Sequence, residues 1–123
     1  MYNYFMLIGT VCKEIEVKEV LDGKRVVNLV LACLRPFPNQ DGIRTTDFFN
    51  ISCWEFLADL ANDYLKVGSH VAIKGRLVPK LITLDTGAKI YVYEPVGERI
   101  YNMSNKNDFP DIDKIEPVEA KED

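Results

Sequence analysis

A single histidine, His70, stands in the whole chain. One imidazole makes neither a metal cage nor a catalytic triad, so it reads as a structural or solvent-facing side chain in a strand. The three cysteines, Cys12, Cys33 and Cys53, lie singly in apolar strand-like runs with no metal-ligand spacing. An odd number of such residues points to buried, reduced thiols in a cytosolic protein, not to a disulfide framework. A glycine-rich phosphate loop is missing. No apolar run approaches the ~20 residues of a membrane span. Met1 to Cys12 carries neither a basic leader nor a small-residue cleavage site, so it does not read as a secretory signal. Glu14, Glu16, Asp59 and Asp63 read as charges on solvated faces. No enzyme activity, cofactor or metal site is expected.

What is present is a soluble globular composition: 123 residues, 47% hydrophobic and 28% charged. The net charge of −4 is unevenly placed. Beyond residue 104, Lys106, Lys114 and Lys121 face Asp108, Asp111, Asp113, Glu116, Glu119, Glu122 and Asp123, which accounts for the whole excess. Residues 1–104 balance. The stretch 105–123 is also poor in bulky apolar residues and contains Pro110 and Pro117, so it reads as a disordered acidic tail. A neutral body with an acidic appendage remains compatible with a polyanionic ligand.

The chain is organised around Asp47 to Lys66, DFFNISCWEFLADLANDYLK. Its first half alternates as a strand does. Phe49, Ile51 and Cys53 form an apolar face, and Phe48, Asn50, Ser52 and Trp54 form the other. That second face sets two large rings about 20 Å apart with small polar residues between them. It suits either a row of flat platforms or a second core or subunit contact. The second half changes period. Leu57, Leu60, Ala61, Tyr64 and Leu65 recur at helical steps, so Glu55 to Lys66 reads as an amphipathic helix, with Gly68 as the stop.

Tyr4 to Cys12 reads as a strand apolar on both faces, Phe5, Leu7, Gly9 and Val11 against Tyr4, Met6, Ile8 and Thr10. In a small domain its second cover suggests another subunit. A short strand at Ile15 to Val20 leads through the Asp22-Gly23 turn into a long strand, Arg25 to Leu34. Arg35 to Arg44 is a loop punctuated by Pro36, Pro38, Asn39, Asp41 and Gly42. Phe37 within it is either a ligand contact or a loop anchor. After the helix, Ser69 to Val78 places His70, Ala72, Lys74, Arg76 and Val78 on one face, with Lys80 continuing the row. That row is either a solvated face or a positive track. Leu81 to Leu84 and Lys89 to Tyr93 flank the turn Asp85-Thr86-Gly87, and Tyr91 and Tyr93 share a face. Gly97 marks a bulge, and Arg99 to Met103 forms a last strand segment.

The order is strand, strand, strand, helix, strand, strand. It predicts an all-β fold with one helix: a five-stranded OB-fold barrel, with the helix between its third and fourth strands. The chain resembles the bacterial-type single-stranded DNA-binding protein family across roughly residues 2–104. The matching residues are Asn3-Tyr4-Phe5-Met6-Leu7-Ile8-Gly9, Arg35-Pro36-Phe37 with Asn39 to Gly42, and Asp47-Phe48-Phe49-Asn50 to Trp54. Ala61 to Leu65, Gly68-Ser69 and Gly75-Arg76-Leu77 complete the set.

The resemblance implies a homotetramer that wraps single-stranded DNA over aromatic and basic surfaces in replication, recombination and repair, in the cytoplasm and nucleoid. Family stacking positions fall on Phe37, Phe48 and Trp54, and Tyr91 is a further candidate ring. Arg35, Arg44, Lys74, Arg76 and Lys80 are the candidate phosphate contacts. Another family aromatic falls near Leu81 and is not aromatic here. The family tail recruits replication and repair proteins through an acidic tip closed by an aromatic residue. Here the chain ends Glu119-Ala120-Lys121-Glu122-Asp123, and the similar Asp108-Phe109-Pro110-Asp111 is internal. That ending is compatible with a short paralogue or a phage-encoded member. Stacking and phosphate contacts tolerate sequence, and stacking does not sense the 2′-hydroxyl, so single-stranded RNA is an alternative ligand. An OB-fold assembly module without nucleic acid is another.

Overall fold

The computed structural model describes residues 2–103, and the acidic tail lies outside them. Six strands and one helix follow in the order β1 (Phe5–Val11), β2 (Val17–Glu19), β3 (Arg25–Leu34), β4 (Thr46–Trp54), α1 (Phe56–Tyr64), β5 (His70–Thr83) and β6 (Lys89–Asn102). β1 pairs with β5, β5 with β6, β6 with β4 and β4 with β3, and a short β1–β3 pairing at Thr10 and Val11 closes the ring. Five strands therefore make the barrel, with β2 hydrogen-bonded to the outside of β3. All pairings are antiparallel except the single β4–β6 contact at Ser52 and Val96. Closed five-stranded architecture with a helix after the third barrel strand is the expected OB-fold.

Alternation in the sequence becomes inside and outside of the barrel. Val11, Val27, Leu29, Leu31, Ile51, Cys53, Val71 and Ile73 fill the interior, and Ala58, Ala61 and Leu65 bring α1 against them. These side chains alternate along their strands because successive residues point to opposite faces. Chain reversals at Asp22-Gly23 and Asp85-Thr86-Gly87 use glycines at φ of 76° and 87°, a region costly for other residues. Gly75 serves another purpose. A Cβ there would collide with the carbonyl oxygen of Val96, so its absence allows β5 and β6 to approach. Opposite it the register slips, since Lys74 pairs with Arg99 and Gly75 with Gly97, leaving Glu98 over as the bulged residue. The bulge expected at Gly97 is thus present beside it.

Several boundaries differ from the sequence reading. β5 runs unbroken through Pro79, and β6 runs unbroken through Pro95 and Gly97, joining segments read as separate strands. Pro79 is tolerated because this half of β5 leaves the barrel as a two-stranded ribbon with β6, where a missing donor is harmless at an open edge. Leu84 belongs to the turn, and the short second strand contracts to Val17–Glu19. The helix is shorter than Glu55 to Lys66. Tyr64 is exposed on it, and Ala58 takes the core position expected of that ring. Of the cysteines only Cys53 is fully buried; Cys12 and Cys33 are partly so, and all three are free thiols. No helix among the described residues is long and apolar enough to cross a membrane.

Candidate nucleic-acid interface

β3 and β4 present one outward surface. Their register sets Phe48 beside Ala32, Asn50 beside Val30, Ser52 beside Asn28 and Trp54 beside Val26. Phe48 is 39% and Trp54 37% exposed, and neither belongs to the barrel core. Asn28 Nδ2 donates to Asn50 Oδ1 at 3.2 Å between them, so the surface separating the rings is polar.

Directly after Trp54 the backbone turns. Glu55 adopts φ 54°, a left-handed conformation unusual for a residue with a Cβ. Two bonds hold it there. The Glu55 N–H donates to the Arg25 carbonyl at 2.8 Å, and the Arg25 N–H donates to Glu55 Oε1 at 2.7 Å. Arg25 also grips Asp59 of α1 through Nε and Nη2 at 2.9 and 2.8 Å. Asp59, read from sequence as a solvated charge, in fact ties the helix to the start of β3, and its carboxylate raises the Arg25 pKa. The end of the aromatic strand is therefore fixed from both sides.

The loop of residues 35–45 is braced rather than loose. Arg35 N–H donates to Thr45 O at 2.9 Å, and its guanidinium clasps Asp47 with two bonds of 2.8 Å. Hydrogen bonding from Arg35 holds the Asp47 carboxyl below its ordinary range. Asn39 organises the tip, its Oδ1 accepting from the N–H groups of Asp41 and Ile43. Phe37 is 79% exposed. Asn39 and the Arg35–Asp47 pair anchor the loop, and the ring does not. Arg44 is exposed at the loop's return.

The basic row divides in two. Lys80 lies beside the aromatic strand, its Nζ 2.7 Å from Glu94 Oε2. Ser52 Oγ of β4 donates to the other carboxylate oxygen at 2.6 Å. Lys80 and then Ser52 keep the Glu94 carboxyl below its usual pKa, so it is ionised at neutral pH. Lys74 and Arg76 lie further along β5, where Lys74 Nζ sits 5.6 Å from the centre of the Tyr4 ring. Tyr91 is exposed on the β5–β6 ribbon. Its register opposite Leu81 sets it on the face away from Lys80, Val92 and Glu94. The structure thus brings Phe48, Trp54 and Lys80 onto one surface and leaves Tyr91 on another.

Sequence reading missed Glu94, which lies in no recognisable motif and becomes relevant only through the β4–β5–β6 register. It also missed Tyr2 and Arg99, neighbours of Lys74. The alternation of Tyr2 and Tyr4 around Asn3 was the available signal. The thiols stay protonated. Burial pushes Cys53 up to about 12 and Cys33 to about 11, and raises Cys12.

The model of the single-strand binding protein family matches residues 2–103. A single-stranded DNA-binding protein of Halalkalibacterium halodurans is 33% identical over 100 residues, which is 81% of this chain and 60% of that protein. The single-stranded DNA-binding protein 1 of Staphylococcus aureus strain MSSA476 is 33% identical over 107 residues, 87% of this chain and 69% of its own. The single-stranded DNA-binding protein A of Bacillus subtilis is 32% identical over 107 residues, 87% of this chain and 62% of its own. The chain thus spans roughly three fifths to two thirds of these relatives' length.

Proposed function

Since this chain belongs to the single-strand binding protein family, we propose that it binds single-stranded DNA with little regard to sequence and protects it in replication, recombination and repair. The observation carrying this reading is the outer surface of β3 and β4, where Phe48 and Trp54 lie partly exposed and Ser52 between them is joined through Glu94 of β6 to Lys80 of β5. Bases stack on Phe48, Trp54 and the Phe37 ring of the neighbouring loop, and Tyr91 offers a separate ring on the other face of the ribbon. Arg35, Arg44, Lys74, Arg76 and Lys80 follow the phosphates. Aromatic faces take any base, at about 1–3 kcal/mol each. On this reading residues 1–104 are the binding domain, and 105–123 form an acidic appendage that meets replication and repair proteins. The protein works in the cytoplasm, on the nucleoid.

The assembly is a homotetramer. Supporting this, β1 pairs with β5 along Phe5 to Thr10, yet with β3 only at Thr10 and Val11. Its other edge from Phe5 to Gly9 has no strand partner among the described residues. Met6 and Ile8, 47% and 51% exposed, stand on its outer face. An open edge beside an apolar face is suited to pairing with a second copy.

Fluorescence of the single tryptophan tests the ligand. Trp54 emission is quenched by poly-dT at stoichiometric concentrations under this reading. Quenching by poly-U alone would make the ligand RNA, and no response to either would favour a protein-assembly module.

A further inference from the structure

The outward surface of β3 and β4 does not stop at β3. β2 adds to the far edge of that strand, with Lys18 opposite Val26, and Val26 is in turn opposite Trp54. Val27 and Cys53 fill the barrel, so Lys18, Val26 and Trp54 all point outward. Opposed side chains on neighbouring strands start about 4.5–5.5 Å apart, which puts Lys18 about 10 Å from Trp54 in one row across three strands.

Along β3 this surface deepens into a groove of about 360 Å³, within the range of small-ligand sites. Its floor is Val26, Asn28 and Val30. Asn28 is opposite Ser52 and bonded to Asn50, so the floor is continuous with the polar stretch between Phe48 and Trp54. The wall is the segment that leaves β1 and becomes β2. Cys12 fixes its start, its N–H and Sγ–H donating to the Val30 carbonyl at 3.0 and 3.4 Å. The pairing of Lys18 with Val26 fixes its end. Between them Ile15 packs against the core, while Lys13, Glu14 and Glu16 stay exposed.

A lysine therefore marks each end of the groove, Lys13 towards Val30 and Lys18 beside Val26. Four residues of strand separate those ends, about 13 Å. Neither lysine forms an ion pair among the described residues, and neither do Glu14 and Glu16. The wall's own carboxylates thus leave both ammonium groups open to an anion. A ligand that suits the groove has separated negative charges and lies on a floor shared with the aromatic surface. An extended single strand meets both conditions, with phosphates recurring along its backbone and bases turned to the sheet. A compact anion reaches only one lysine.

We propose that this groove continues the single-strand path: a strand leaving Trp54 crosses β3 into it, with Lys18 and then Lys13 on its phosphates and a base over Asn28. The proposal rests on the single-stranded DNA reading above and gives the strand a direction. β4 lies between β6 and β3 in the sheet. Lys80 approaches it from the β6 side through Glu94 and Ser52, and Lys18 stands on the opposite side. The path therefore runs across the strands and not along β4.

Salt titrations of poly-dT binding by the full chain test it, read by Trp54 fluorescence. Lys13→Gln with Lys18→Gln should lower the log–log slope by about 1.4, two neutralised phosphates. Lys24→Gln with Lys66→Gln removes the same net charge at exposed positions outside the groove and should leave the slope nearly unchanged. Glu14→Gln with Glu16→Gln should tighten binding, because it takes two carboxylates from beside the phosphates. Melting temperature and oligomer mass should stay the same in all three. Equal slopes in the two lysine pairs, with quenching retained, would overturn the groove and leave the β4 surface standing. A changed oligomer mass in the Lys13 and Lys18 variant would also overturn it, making the groove an interface between copies. Absence of Trp54 quenching in the parent protein would instead overturn the DNA reading itself.

Discussion

Lys80 and Glu94 face each other across the β5–β6 ribbon at 2.7 Å, and Ser52 of β4 donates to the same carboxylate. A cation expected to meet phosphate thus carries its own counter-charge, on the surface that holds Trp54. On the proposed function, strand binding must displace or outcompete an ionised carboxylate there.

Removing that carboxylate should free the lysine. Glu94→Gln is expected to tighten single-strand binding at low salt and steepen the log–log salt dependence by about 0.7, one more neutralised phosphate. Equilibrium titrations at several salt concentrations check this. An unchanged slope would return Lys80 to a solvated face.

Acid should weaken the fold in a definable window. Asp47 and Glu94 are held below their ordinary pKa by Arg35 and by Lys80 with Ser52. Each pair therefore stabilises the folded state above the usual carboxylate pKa of about 4, and that contribution is lost as pH falls through the lowered values. Chemical denaturation across this range should show stability falling below pH 4, with a smaller fall in Asp47→Asn. Equal falls in both proteins would contradict the Arg35–Asp47 account.

Thiol chemistry should be slow. Cys53 is completely buried, and its pKa of about 12, like about 11 for Cys33, leaves almost no thiolate at pH 8. Iodoacetamide should label Cys53 only on unfolding. Rapid labelling of the native protein at that position would mean that the barrel opens readily.

Gly75→Ala should be among the most damaging single changes. The added methyl meets the Val96 carbonyl, so β5 and β6 must separate or the chain must deform. A loss of more than about 3 kcal/mol is expected by thermal or denaturant melting. A loss below about 1 kcal/mol would mean that the ribbon relaxes freely.

How far the sequence reveals this molecule depends on the range of the interaction. Faces of β1, β3 and β4 were legible because period-two alternation is local. Both hairpin turns were legible because Gly23 and Gly87 carry the conformations that need them. Continuity of β5 and β6 was not, since Pro79 and Pro95 look like breaks until the register sets Pro79 opposite Tyr93 and Pro95 opposite Leu77 in one continuous ladder. The aromatic surface was readable from Phe48 and Trp54. Its electrostatics were not, because Ser52, Lys80 and Glu94 meet only through barrel closure at Ser52 and Val96. Tyr64 was misplaced for a related reason. Helical spacing marks a stripe, and packing against β3, β4 and β6 decides which part of it is covered.

The most direct test of the interface is Trp54→Ala, with affinity and stability measured on the same preparation. Trp54 lies outside the core cluster but rests on Val26, with about a third of its surface open. The variant should lose about 1–3 kcal/mol of affinity for oligo-dT and no more than about 2 kcal/mol of stability, less than the 3–5 kcal/mol of a truncated core tryptophan. A variant that melts early yet binds oligo-dT like the parent while folded would contradict the account.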